Sequence, residues 1–221
     1  MQNMMEGLRV PVDQRYRAAV SLHSLMQLNW LDDVWTQELA GPSLPSPDDK
    51  ALLVRVGEEL ALLLEEAPGH ARWLEELYGE HDREFEDAIA VALDHYPLAN
   101  ETKFELYELV GPGREFATNV RKAARNVAAL APPAAEEVRR DCRLLLARQP
   151  DEADSEGGAE SLGDIPRRLK CAVLFVAAGA ALAVEQVVGH PGAYSMGIIT
   201  LMGTDCHNTL QGQQDLLDGE D

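Results

Sequence analysis

Lysine is scarce in this chain of 221 residues, confined to Lys50, Lys103, Lys122 and Lys170, and aromatic residues make up only 5%. Lysine and arginine together number 19 against 38 aspartates and glutamates, leaving a formal charge of -19. Phosphate binding is carried by clustered cations, so that balance argues against a nucleic-acid partner and disfavours an anionic lipid surface. There is no glycine-rich loop ending in Lys-Ser or Lys-Thr and no His-Glu-x-x-His, the patterns that cradle nucleotide phosphates or hold a catalytic zinc. Cysteine occurs three times, at Cys142, Cys171 and Cys206. An odd number at wide spacing predicts reduced thiols in a cytoplasm and no disulfide framework. Near the start, Glu6, Arg9 and Asp13 interrupt what a secretory signal would keep apolar, which also favours the cytoplasm.

What the chain does have is helical periodicity. The fold class read from it is all-α, a multi-helix bundle over residues 1–148, then an acidic flexible spacer at 149–164. An apolar C-terminal helix or helical hairpin at 165–204 and a polar tail at 205–221 complete the organisation. From Val12 to Leu39, apolar residues recur at spacings of three and four, with Tyr16, Ala19, Val20, Leu22, Met26, Trp30, Val34 and Trp35 as the expected buried face. Ser46-Pro47-Asp48-Asp49 combines a cap, a first-turn proline and two acids at the positive end of the dipole, a strong helix start. Pro68-Gly69 and Pro132-Pro133 are expected to break helices, giving separate segments at 71–78, 84–96, 101–110, 115–130 and 134–147.

One stretch, Cys171 to Val184, carries no polar side chain. Fourteen residues fall short of the roughly twenty needed to span a bilayer. The stretch therefore belongs in a core or an interface, and Leu174 and Leu182 are its candidate partner contacts. Membrane entry is expected only if the segment is released. Charge is divided as well. Between Glu58 and Asp94 twelve acids face two bases, and between Arg114 and Arg148 eight bases face four acids. The blocks either pack as neighbours or dock a partner of opposite charge, with Arg139 and Arg140 the candidate recognition residues.

Chemistry-bearing residues are thinly spread. The six histidines show no ligand spacing, and the weak metal candidate is His81-Asp82, a doublet that resembles the paired ligands of HD-type helical phosphohydrolases but sits among Glu80, Arg83 and Glu84. Cys206-His207 sets a thiol beside a base, although side chains adjacent on a loop point apart. Cys142 has arginines at 139, 140 and 143, which would favour its thiolate unless it is packed within its helix. Asp154-Ser155, in the acidic spacer, resembles the cleavage sites of caspase-type proteases. No cofactor is expected. The function expected is a non-catalytic cytosolic adaptor or regulator acting on a protein partner or as a homo-oligomer. One alternative is a latent effector whose apolar C-terminal segment is freed by cleavage in the spacer; another is a metal-dependent helical hydrolase.

Overall fold

A computed structural model describes residues 12–39, 46–80, 91, 104, 113–147, 165–188, 194–201 and 206. Among them the structure is all-helical. Four long helices make the frame: α1 (Val12–Leu39), α2 (Pro47–Glu80), α3 (Gly113–Ala147) and α4 (Arg167–Val188). Residues 195–201 add a short helical stretch. Of the helices predicted at 84–96 and 101–110 only Val91 and Phe104 are described, both helical, and the spacer at 149–164 and the tail beyond Cys206 lie outside the described residues.

The start of α2 follows its sequence. The Asp49 amide donates to Ser46 Oγ at 3.2 Å, and Asp49 Oδ2 accepts from the Ser46 amide at 3.2 Å and from its hydroxyl at 2.5 Å. Reciprocal bonds of this kind satisfy donors that the first turn leaves without partners.

Both expected proline breaks fail to appear. α2 passes through Pro68 and α3 through Pro132 and Pro133 without ending. The two helices run antiparallel, as the bonds joining them show: Cys142 Sγ to the Val54 carbonyl at 3.9 Å, Arg139 to Glu65, and Arg125 Nε to Glu75 at 2.7 Å. Pro68 and the Pro132–Pro133 pair both fall between the last two of these contacts. Each proline removes a backbone bond and crowds the carbonyl four residues earlier, about 3 kcal/mol in an isolated helix. Burial of Ala67, Ala71, Leu74, Ala131, Ala134 and Ala135 along the shared seam outweighs that local preference.

α4 lies against α1, α2 and α3. All fourteen residues from Cys171 to Val184 are covered by this chain, Val184 less completely than the rest. Gly179 lets α4 come close: a Cβ there would stand 3.0 Å from Val120 Cγ1 and 3.2 Å from the Tyr78 hydroxyl oxygen. That hydroxyl donates to the Gly179 carbonyl at 2.9 Å. At the N-terminal end of α4, the Lys170 ammonium lies 3.1 Å from Asp32 Oδ2 and also contacts Asp33, fastening α4 to α1. Burial works against that charge, yet the bonds to Asp33 and Asp32 prevail and raise the pKa.

The cysteines overturn an expectation. Cys171 and Cys206, both buried, form a disulfide with Cα atoms 5.2 Å apart, leaving Cys142 as the free thiol. Sequence spacing says nothing about a contact made through thirty-five residues of chain. With that pair joined, the three cysteines no longer argue for a reducing compartment.

Candidate functional site

Four places in the described residues bring polar, titratable or exposed apolar side chains together. The first is buried, where α4 meets the short stretch at 195–201. Glu185, 1% exposed, accepts from the Ser195 amide at 2.6 Å and the Ser195 hydroxyl at 2.8 Å, and from the Tyr194 amide. A carboxylate at a helix N-terminus satisfies free amides and suits the positive dipole end. Burial holds the nearby Tyr78 phenol well above its usual pKa, and the Glu185 charge adds to this. Ser195 is enclosed and its hydroxyl is committed to Glu185, so the arrangement fastens helices and does not resemble an activated nucleophile.

The second place is Cys142. It is pressed against Gly57, where a Cβ would come within 2.5 Å of the sulfur and 2.7 Å of the Trp35 ring. Burial pushes its thiol up to about 11, helped by Glu58 and Asp141. The neighbouring arginines do not produce a thiolate, because Arg139 turns to Glu65 and Arg140 Nε lies 3.5 Å from Asp141 Oδ1. Packing decides this cysteine.

The third lies between α1 and α2. The Ser21 hydroxyl meets His70 Nδ1 at 3.0 Å, and the Arg17 guanidinium sits 5.0 Å from the centre of the Trp73 ring. Burial lowers the His70 pKa, with Arg17 acting in the same sense and Glu66 opposing. His23 is exposed. Among the described residues no three His, Cys, Asp or Glu side chains are grouped to hold a metal. His81 and Asp82, the metal candidates, and Asp154 and Ser155, the cleavage candidate, lie outside those residues, as does His207.

The fourth is a surface that periodicity assigned to the core. On α1 the buried stripe is Ala18, Ser21, Leu25, Leu28, Asp32 and Trp35, and of the eight apolar residues expected to face inward only Trp35 is fully covered. Tyr16, Val20 and Trp30 point outward, Tyr16 with 74% and Trp30 with 62% of its surface open. The α1 helix is apolar on two faces, and the more aromatic one is turned to solvent. Asp32 and Ser21 share the buried face with Trp35, so polarity in the sequence does not mark that face as the inner one. On α2, Leu52 and Leu62 are also exposed. Gln27 Nε2 donates to Glu59 Oε1 at 2.9 Å across the α1–α2 seam; because these helices run antiparallel, as the Ser21–His70 contact also shows, Trp30 and Leu62 stand one turn to opposite sides of this bond.

The other sequence candidates are placed as follows. Arg139 pairs with Glu65 of α2, a bond that lowers the Glu65 pKa and raises that of Arg139. Together with Arg125 and Glu75, this pair joins the acidic and basic blocks inside one molecule. Arg140 is exposed beside Asp141. Leu174 and Leu182 are buried in the core, Leu182 completely. No described helix is long and apolar enough to cross a membrane. Comparison of the chain with protein-family models, with curated proteins and with solved structures returns no match.

Proposed function

We propose that this protein is a non-catalytic adaptor or regulator that works by holding another protein on the outer face of α1 and α2. The observation that carries the reading is the pair of exposed aromatic residues, Tyr16 and Trp30, on a helix whose opposite face already fills the core. Interface centres are enriched in tyrosine and tryptophan, since both give large contact area with few rotatable bonds. The buried polar groups lend further support. Glu185, Ser195, Tyr78 and Cys142 are each engaged in fastening helices to one another. The Cys171–Cys206 bond weighs against a reducing cytoplasm as the setting for that contact.

A photo-crosslinking amino acid at position 30, with a second at exposed position 137 of α3 as control, tests the proposal in living cells. The expected result is a discrete protein adduct from position 30 that position 137 does not give. Absence of any adduct from position 30, with stoichiometric bound metal and turnover of phosphoester substrates by the purified chain, would replace this reading with the hydrolase.

A further inference from the structure

The outward face of α1 and α2 also carries a charge pattern that narrows the partner. Leu62, 55% exposed, has Glu58, Glu59, Glu65 and Glu66 at the four positions three and four residues away, so every helical neighbour on its face is acidic. Glu65 is drawn toward Arg139, while Glu58, Glu59 and Glu66 stay exposed. Tyr16 and Trp30 lie fourteen residues apart on α1, about 21 Å at 1.5 Å per residue. A helix of some four turns matches that length.

We infer that this face binds a cationic amphipathic helix, whose apolar stripe packs on Tyr16, Val20, Trp30 and Leu62 while its lysines or arginines face the glutamates around Leu62. This rests on the protein-contact reading above and names the chemistry of the partner. Helix-in-groove recognition uses anchors at helical spacing, and charges at the rim set register and encounter rate. A second copy of the chain fits poorly, because each copy brings a formal charge of -19. Segments of this chain outside the described residues fit no better. Their cations are Arg9, Arg83, Lys103 and Arg148, scattered among a large excess of acids. The positive charge must come from another molecule.

The experiment uses the full chain and three synthetic 18-residue peptides. One is a leucine–lysine peptide patterned to form an amphipathic helix, one has the same composition shuffled to leave no apolar face, and one replaces lysine by glutamate. Binding is read by calorimetry at low and high salt and by the emission of Trp30, with Trp30→Ser and Leu62→Ser as variants. Both substitutions are at the surface, and circular dichroism and thermal melting check that each remains folded. The patterned cationic peptide is expected to bind at least tenfold more tightly than its shuffled isomer and to shift the emission to the blue. Each variant should lose at least tenfold in affinity for it without change toward the isomer, and the acidic peptide should not bind.

Equal binding of the two cationic isomers would reduce the effect to attraction by a polyanion and overturn the inference. So would unchanged affinity in both variants, or self-association of the free chain that Leu62→Ser abolishes. If the peptides fail while position 30 still crosslinks to a discrete protein, the partner chemistry is wrong and the adaptor reading stands. If both fail, that reading falls too.

Discussion

Cys142 is buried and alone, whereas Cys171 and Cys206 are buried and joined, so the three thiols should behave in two ways. Protein denatured without reductant is expected to show one reactive thiol, rising to three after reduction; three at the outset would mean that the 171–206 bond does not form. In the native protein Cys142 should react slowly, since burial and its pKa of about 11 leave little thiolate near neutrality. His70 gives a pH signature of the opposite kind. Burial depresses its pKa below 6.5, so the unfolded chain takes up the proton first as pH falls. Its contribution to stability is complete above 6.5 and is lost as pH drops from there through the folded value. Titration of the His70 ring by NMR should give a midpoint below 6.5, and His70→Asn should flatten the acid side of the stability profile. A ring that titrates at or above 6.5 would mean that burial does not dominate the surroundings of His70.

Glycines within α2 separate local propensity from packing. At Gly69 an added Cβ meets nothing within 4 Å, so Gly69→Ala should stabilise by roughly 0.5–1 kcal/mol through helix propensity alone. At Gly57 the same methyl group would fall 2.5 Å from Cys142 Sγ and 2.7 Å from Trp35, and Gly57→Ala should destabilise by about 1–3 kcal/mol despite the better propensity. Denaturant titration of both variants checks the contrast, and equal effects would place α2 wrongly against α1 and α3. The limits of legibility are of the same origin. The bounds of α1 and the cap of α2 could be read directly, since they depend on neighbours in sequence. Continuation through Pro68 and Pro132–Pro133 could not, because it depends on two helices lying side by side. The face of α1 was misread for a related reason: its outward aromatic stripe satisfies helical periodicity as well as the inward one does, and only the position of α2 and α4 distinguishes them. The disulfide was likewise invisible, being a contact between distant segments.

At the scale of the whole molecule, α4 packs along α1 and α3 and only touches α2, and this governs what cutting the chain should do. Leu182 is fully enclosed, so Leu182→Asp should bury an uncompensated carboxylate at a cost of several kcal/mol, about the stability of an ordinary domain. Its surface counterpart Leu62→Ser should change stability by no more than about 0.5 kcal/mol. Cleavage is a more searching test, because it distinguishes a core helix from cargo without altering any buried residue. A protease recognition sequence introduced within 155–160 would sever α4 from α1, α2 and α3. The Cys171–Cys206 bond lies wholly within the C-terminal piece and cannot hold the two fragments together. Only packing can. Burying the apolar run at about 25 cal/mol per Å² contributes on the order of ten kcal/mol before ordering costs, the largest single term favouring association of the fragments. They are therefore expected to co-elute on gel filtration without reductant, to melt together, and to separate only in denaturant. Fragments that part under native conditions, with the C-terminal one entering liposomes, would make α4 a releasable segment and revive the latent-effector reading.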